Sequence, residues 1–397
     1  DGVSPSTFGF GLPNFSMIYL DNNATTAPDP RVGEAMLPFF GHEFGNPSSP
    51  HAAGRVARGA LEKARAQVAA FLGAAEDAVV FTSGGTESIN TALRGALAAQ
   101  PGKRHIVTSA IEHSATKNLC QQLAREGCEV TWLPVDSGGC IDFAAYLQAL
   151  RPDTAIVTMV WANNETGVLL PIGEMACVAD ERRIVFHADA VQAAGKVDID
   201  LGRVPVHLLS VSAHKLHGPK GVGALLVRPG LGLPPILRGG GQEGGRRAGT
   251  ENVPGIVGLG AAAALASVAL PVEMPRVAGL RDTFESGVRT RFPDVRFHGN
   301  PAHRLPNTTN FALPGLEAQG LLAGLDRLGV ACSIGSACTS GEVDASHVLR
   351  AMGVGDEEAR SSLRFSFSRM STAEEVPAAL AALGQAAARL RGDGLGH

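Results

Sequence analysis

The chain has 397 residues, of which 45% are hydrophobic and 18% charged. A chain of this length and composition can bury a large core and is expected to form about two or three domains. The formal net charge is −4, and no cluster of Lys or Arg indicates a surface for nucleic acid. We identify no apolar run long enough to span a bilayer, so we expect neither nucleic acid nor membrane as a partner.

Six cysteines are spread along the chain at irregular spacings and without a Cys-x-x-Cys motif. This pattern speaks against a zinc site, and we expect no metal. We expect most of the thiols to be reduced, in a cytoplasmic compartment, and Cys120, Cys128 and Cys177 to be buried apolar residues.

The N-terminus has neither a starting Met nor the basic stretch of a secretory signal, and native-looking sequence begins at Met17. We therefore expect residues 1–16 to be a remnant foreign to the native protein. Three parts are predicted after it: a segment 17–30 that packs with a small domain, a large domain 31–270, and the small α+β domain 271–397.

In the large domain the predicted elements alternate between helices and strands. A helix is expected over residues 56–72, where one face is apolar and Gly73 provides a stop. Short β-rich runs follow at residues 78–82, 105–109, 129–135, 155–161, 184–187, 208–212 and 222–227. Several runs are almost entirely apolar, as in strands buried on both faces. The alternation predicts an α/β fold with a mostly parallel, seven-stranded sheet.

The small domain shows weaker patterns. Strands are expected near residues 310–311 and 363–367. A final helix is expected from Ser371, with Glu374 completing a capping box.

Polar residues follow four of the predicted strands, in residues 83–86, 162–167, 188–189 and 213–215. Parallel α/β sheets bind ligands at the carboxyl ends of their strands, so these residues indicate one shared site. Residues 83–88 (Ser-Gly-Gly-Thr-Glu-Ser) can bind a phosphate at a helix N-terminus, although an ordinary strand–turn–helix has the same pattern.

Lys215 and Asp189 indicate which phosphate-bearing ligand the site would take. A lysine at a strand end can form a Schiff base if the site lowers its pKa, whereas most such lysines are simply solvated. Asp189, one strand earlier, offers the acidic partner that the pyridine nitrogen of pyridoxal phosphate (PLP) needs. With Gln192 and the phosphate turn, these residues supply the parts of a PLP site.

Four further residues are candidates, and three of them, His113, Arg364 and Cys332, have two interpretations each. His113 follows a strand and either stacks on a cofactor ring or caps a helix. Arg364 lies among apolar residues and needs an anionic partner, either a substrate carboxylate or a structural salt bridge. Cys338 lies among small residues, where an exposed thiolate is a nucleophile. Cys332 is either a packing residue or a disulfide partner.

One motif matches a dinucleotide-binding pattern but lacks the structural context of such a site. Residues 239–244 (Gly-Gly-Gly-Gln-Glu-Gly) fit the dinucleotide pattern Gly-x-Gly-x-x-Gly, but they follow a Pro-containing stretch and open no helix. This context argues against a dehydrogenase.

The motifs resemble, in the same order, those of cysteine desulfurases. The matching segments are residues 19–26 (Tyr-Leu-Asp-Asn-Asn-Ala-Thr-Thr), 45–49 (Gly-Asn-Pro-Ser-Ser), 163–167 (Asn-Asn-Glu-Thr-Gly), 187–192 (His-Ala-Asp-Ala-Val-Gln), 212–215 (Ser-Ala-His-Lys), 247–252 (Arg-Ala-Gly-Thr-Glu-Asn) and 335–341 (Gly-Ser-Ala-Cys-Thr-Ser-Gly). The resemblance runs from about Met17 to the last helix. It implies PLP fold-type I of the class V aminotransferase group, in the branch that serves iron–sulfur and nitrogenase assembly.

The resemblance also implies roles for individual residues. Lys215 resembles the Schiff-base lysine, and Cys338, Lys215 and His113 would be catalytic. The implied cofactor-binding residues are Gly85, Thr86, His113, Asn163, Asp189, Gln192, Ser212, His214, Lys215 and Thr250, with Thr250 supplied by the partner subunit of a homodimer. The implied substrate-binding residues are Asn23, Asn163 and Arg364, with Arg364 holding the carboxylate.

The implied reaction moves the sulfur of L-cysteine onto Cys338 as a persulfide and releases L-alanine. A sulfur-acceptor protein, such as an iron–sulfur scaffold, would then take the sulfur. The nearest alternative is a selenocysteine lyase or another class V PLP enzyme, which needs no Cys in such a loop. A non-catalytic scaffold that keeps PLP only for stability would be expected to lack Lys215 or Cys338, and both are present.

Overall fold

A computed structural model describes residues 17–334 and 345–393 of the chain. In chain order its strands are β1 (Ile18–Tyr19), β2 (Val79–Thr82), β3 (His105–Ser109), β4 (Glu129–Leu133), β5 (Thr154–Val160), β6 (Val185–Asp189), β7 (Leu208–Ser212), β8 (Gly223–Val227), β9 (Arg296–Phe297), β10 (Thr308–Ala312), β11 (Val330–Ala331) and β12 (Ser362–Ser366).

The α-helices of the same residues lie between and after these strands. They are α1 (Pro30–Met36), α2 (Ala52–Phe71), α3 (Gly85–Ala99), α4 (Ser114–Arg125), α5 (Phe143–Ala149), α6 (Ile172–Glu181), α7 (Val253–Arg291), α8 (Ala318–Arg327), α9 (His347–Ala351), α10 (Asp356–Arg360) and α11 (Glu375–Asp393).

The central sheet has seven strands in the order β2-β8-β7-β6-β5-β3-β4. Only β8 runs antiparallel to its neighbours, so the predicted mostly parallel α/β sheet is confirmed. Every residue of β2, β3 and β5 to β8 is buried, as expected for strands covered on both faces. Helices cover both faces: α3 and α4 pack on one face, and α2, α5, α6 and the first half of α7 pack on the other.

A second apolar core surrounds the small sheet β12-β10-β9. Phe284, Phe311 and Phe365 meet there, and the rings of Phe311 and Phe365 stack with their centroids 5.6 Å apart. Leu20 also belongs to this core, because β1 pairs in parallel with β11. The N-terminal segment is therefore attached to the second core.

Helix α7 belongs to both cores. Ile256 and Leu259 pack in the first core, whereas Val277 and Phe284 pack in the second. The division expected at residue 271 falls inside this helix, and Val348 of α9 returns to the first core. The segment 271–397 therefore contributes residues to both apolar clusters.

By length and composition alone, α7 is apolar enough to cross a membrane, which corrects the expectation that no run is that long. About 50% of its most apolar stretch is buried inside the protein. Pro271 and Pro275 also lie within the helix.

Three local expectations need correction. Helix α2 begins at Ala52, before the predicted start, because Nδ1 of His51 accepts the N–H of Gly54 at 3.2 Å. The last helix has no Ser371–Glu374 box: the carboxylate of Glu375 accepts the N–H of Thr372 at 3.0 Å, so the helix starts one turn later. Cys177 is exposed, whereas Cys120 and Cys128 are buried as expected.

Candidate active site

A cavity of about 430 Å³ lies at the carboxyl ends of the central strands. The sheet register explains its position: Ser212 of β7 stands beside Gly223 of β8, which stands beside Thr82 of β2. Most of the predicted site residues line this one cavity: Asn23, Gly85, Thr86, His113, Asp189, Gln192, Ser212, His214, Lys215 and Arg364.

One end of the cavity is the turn that opens α3. Gly84 is the N-cap of this helix, with φ of 150°, and as a glycine it has no side chain to cap the first turn. The backbone is tightly packed here, since a Cβ on Gly223 would lie 2.8 Å from Cα of Gly84. An uncapped helix N-terminus next to the hydroxyls of Thr86 and Ser212 suits a phosphate group.

Asp189 lies at the end of β6 and is almost fully buried. Burial raises the pKa of its carboxyl, while the nearby His113 and Lys215 oppose that shift. The carboxylate also accepts the N–H of Val191 at 3.0 Å, which fixes its orientation. A buried acid at this place suits a ligand that brings its own positive charge, as a protonated pyridine ring does.

Lys215 follows β7 on the short 3-10 turn Ala213–Lys215. Its Nζ donates to the carbonyl oxygens of Asn23 and Ala24, both at 2.6 Å. Burial, reinforced by Arg364, lowers the pKa of Lys215 to about 8. An appreciable fraction of this amine is therefore neutral near physiological pH, as a Schiff-base lysine requires.

The two histidines of the cavity differ in environment. His113 is exposed and caps α4, where its Nδ1 accepts the N–H of Ala115 at 3.2 Å. It also lines the cavity, so the two interpretations of this residue are compatible. Burial lowers the pKa of His214 to about 4, and its Nδ1 lies 3.2 Å from the hydroxyl of Thr25. His214 is therefore a neutral hydrogen-bonding group at pH 7.

Arg364 has a structural partner and spare capacity. Its Nη2 lies 2.7 Å from Oδ1 of Asp21, and its Nη1 donates to the carbonyl of Asn164 at 3.0 Å. The buried Nε has no hydrogen-bond partner among the residues described. The salt-bridge interpretation is correct, and the guanidinium still has a donor for a substrate carboxylate.

The structure does not bring Asn163 to the cavity, whereas the neighbouring Asn164 lines it. Asn163 is fully buried, its Nδ2 donates to the carbonyl of Ile111 at 2.9 Å, and its Oδ1 accepts the N–H groups of Glu165 and Thr166. These bonds hold the turn after β5. Asn164 is only half-buried and lines the cavity. A pair of adjacent asparagines gave no signal of which side chain faces the ligand.

Asn23 lines the cavity but is poorly suited to bind substrate through its side chain. Its Nδ2 donates to the carbonyl of Asn164 at 3.1 Å and to the hydroxyl of Thr308 at 2.9 Å, so both amide hydrogens are used. Its Oδ1 accepts from Asn307 at 3.0 Å. Asn23 instead helps to position two other site residues, because its backbone carbonyl accepts hydrogen bonds from Lys215 and Gln192.

Thr250 is not part of this cavity. It is exposed and lines a separate cavity of about 180 Å³ together with Glu243 and Arg247. Within one chain Thr250 does not line the candidate phosphate site, and its expected contribution to a neighbouring subunit stays a prediction.

Cys338 lies outside the described residues, but both flanks of its segment lie at the site. Ser333 lines the cavity and exchanges two backbone hydrogen bonds with Arg364, at 2.7 and 3.1 Å. On the other side, the hydroxyl of Ser346 donates to Glu165 at 2.5 Å. Glu165 follows Asn164, so both attachment points adjoin residues that line the cavity.

Among residues 17–334 and 345–393, no group of three or more His, Cys, Asp or Glu side chains is placed to hold a metal ion.

Comparison with known proteins gives consistent results. A family model described as aminotransferase class-V matches residues 18–378. Cysteine desulfurase 2 of Trichormus variabilis is 48% identical over 376 residues, which cover 95% of this chain and 94% of that protein. Cysteine desulfurase NifS of Azotobacter vinelandii is 49% identical, covering 94% and 93%. The solved structure of a NifS-like protein, 36% identical, superposes with a TM-score of 0.89 and covers 94% of this chain and 100% of its own.

Proposed function

The chain belongs to the aminotransferase class-V family, and on that premise we propose that it is a cysteine desulfurase, which takes sulfur from L-cysteine and releases L-alanine. One observation carries the proposal: a single cavity unites a lysine of low pKa, a buried aspartate and an uncapped helix N-terminus.

We propose PLP as the cofactor, because the donor set fits each of its parts. Thr86, Ser212 and the N-terminus of α3 would hold the phosphate, with the neutral His214 beside them. Asp189 would hold the pyridine nitrogen. When bound, PLP supplies an electron sink that stabilises negative charge at the substrate Cα.

The residues of the chain would divide the remaining work. Lys215 would take the proton from the substrate Cα, since its neutral form is accessible near pH 8. Arg364 would hold the substrate carboxylate through its unpaired Nε. Asp21 and the carbonyl of Asn164 would keep the guanidinium in place.

Cys338 would receive the sulfur. Its thiolate attacks the substrate sulfur, an S–S bond forms, and the C–S bond breaks. The electron pair of the C–S bond returns to the three-carbon skeleton, which takes up protons and leaves as alanine. The anchoring of the flanking residues supports this role, because Ser333 lines the cavity and Ser346 bonds to Glu165, the neighbour of the cavity residue Asn164.

We further propose that the protein is a homodimer in the cytoplasm and passes its sulfur to an acceptor protein such as an iron–sulfur scaffold. The position of Thr250, away from the cavity of its own chain, supports the dimer. The free thiols among the described cysteines fit a reducing compartment.

The experiment that tests the function is a product assay. The PLP-loaded protein is incubated with L-cysteine and a thiol reductant, and alanine and sulfide are measured together. We expect equal amounts of both products from the wild type and neither from Cys338→Ser. Products that persist in the variant would contradict the proposal and favour a lyase, as would a preference for selenocysteine.

A further inference from the structure

A second lysine lies behind the candidate site. Lys196 is only 8% exposed, and its Nζ donates to Gln192 twice, to the backbone carbonyl and to the side-chain Oε1, both at 3.0 Å. Within the described parts of the chain, no carboxylate forms an ion pair with it. Burying a lysine without an anion is costly, so its presence at this point calls for a physical explanation.

The position and the protonation of the lysine head each have a local cause. Lys196 follows Gln192 by four residues, and its N–H donates to the carbonyl of Ala193 at 3.0 Å, so the turn brings its side chain back onto Gln192. Burial, with Lys215 and Arg364 nearby, also lowers the pKa of Lys196 to about 7. The ammonium is thus easily neutralised, yet the amine remains a hydrogen-bond donor.

The side chain of Gln192 has two different faces, an oxygen that accepts and an NH₂ group that donates. Lys196 donates to the oxygen, while the NH₂ group donates to the carbonyl of Asn23 at 2.8 Å. A flipped amide would lose the donation from Nζ to Oε1 and would place its oxygen against the carbonyl oxygen of Asn23. Only one of the two amide hydrogens is used by Asn23, and Gln192 lines the cavity.

We propose that Lys196 is a positioning residue: it fixes the amide of Gln192 so that this amide presents an N–H to the hydroxyl oxygen on the cofactor ring. This inference rests on the proposed function, since it concerns how the chain holds PLP. Lys196 itself lines a smaller cavity of about 30 Å³ behind Lys215 and does not line the main one. Its effect on the cofactor must therefore pass through Gln192.

A double-mutant cycle tests this route. Lys196→Met, Gln192→Leu and the double variant are prepared without cofactor, and the dissociation constant for PLP and the visible absorption band of the bound cofactor are measured. We expect each single variant to bind PLP about tenfold more weakly and to shift the band. The double variant should match Gln192→Leu alone, because Lys196 has no effect once the amide is gone.

Lys196→Arg provides the conservative control. Arginine keeps the hydrogen-bond donors that Lys196 offers to Gln192, and the adjoining 30 Å³ cavity leaves room for its larger head. We expect it to keep the wild-type band and an affinity within about threefold of wild type, whereas a purely structural role would not depend on donor character. If the Met variant does not fold, the cycle is run with Lys196→Ala.

Three outcomes would overturn the inference: unchanged affinity and band in Lys196→Met, losses that multiply in the double variant, or an Arg variant that behaves like Met. Each applies when the wild type binds PLP. A wild type that binds no PLP would instead overturn the proposed function, and the inference with it.

Discussion

At the scale of single residues, the site depends on burial that changes the protonation of its groups. Lys215 and His214 both have lowered pKa values, because a charged form loses its hydration in the cavity. Asp189 shows the opposite shift for the same reason. A cationic ring bound beside Asp189 would restore its charge, so cofactor and protein are electrostatically complementary.

The low pKa of Lys215 predicts how fast the cofactor-free protein captures PLP. The neutral amine is the reactive form, so the capture rate should rise with pH through about 8 and level off above it. With an ordinary lysine, the capture rate would keep rising until about pH 10.4. Absorbance followed after mixing with PLP measures the rate, with Lys215→Ala as the control. A rate that still climbs at pH 10 would contradict the assignment.

The geometry of Arg364 predicts a substrate effect. Arg364→Lys keeps the charge but loses the planar guanidinium group, which contacts Asp21 and lines the cavity. We expect the KM for L-cysteine to rise at least about tenfold while PLP binding is unchanged. Steady-state kinetics and the absorption spectrum of the bound cofactor measure the two effects. A wild-type KM in the variant would show that Arg364 is purely structural.

At the scale of elements, the sheet register brings the polar residues together. The sequence predicted the order of strands and helices well, because a strand buried on both faces must be apolar along its whole length. It predicted helix starts less well, since these depend on single hydrogen bonds such as the one between His51 and Gly54. The sequence could not distinguish Asn163 from Asn164 for a related reason: the turn after β5 decides which amide lines the cavity.

The close approach of β8 to the turn before α3 predicts that any side chain at Gly223 destabilises the protein. A Cβ there would lie 2.5 Å from the carbonyl oxygen of Val211 and 2.8 Å from Cα of Gly84. We expect Gly223→Ala to cost about 1–3 kcal/mol of unfolding free energy and to weaken PLP binding. Gly232→Ala is the matched control, since a Cβ there meets no atom within 4 Å. Equal stability of the two variants in denaturant would contradict this packing.

At the scale of the whole molecule, the site lies between the two apolar cores. Asp189 ends β6 and Lys215 follows β7 of the central sheet, whereas Arg364 lies on β12 in the small sheet of the second core. Asn23, at the N-terminus, links them through Asn164 and Thr308. The sequence predicted most residues of this site from their strand ends and from family motifs. It could not show that one helix, α7, joins both cores, because its apolar pattern is continuous.

The proposed dimer predicts that two inactive variants can complement each other. Each proposed site combines Lys215 of one chain with Thr250 of the other. In a dimer of one Thr250→Val chain and one Lys215→Ala chain, one site therefore carries both substitutions and the other site carries none. Mixing equal amounts after reversible dissociation should restore about a quarter of the wild-type activity. Activity that stays at the level of the separate variants would contradict a site shared between subunits.

The transfer of sulfur to Cys338 is the central claim. The most direct test is to mix the PLP-loaded protein with L-cysteine in the absence of reductant and to measure the mass of the peptide that contains Cys338. We predict that this peptide gains one sulfur atom as alanine forms, and that the same peptide of Cys338→Ser gains none. Alanine formed without any sulfur on Cys338 would contradict the account.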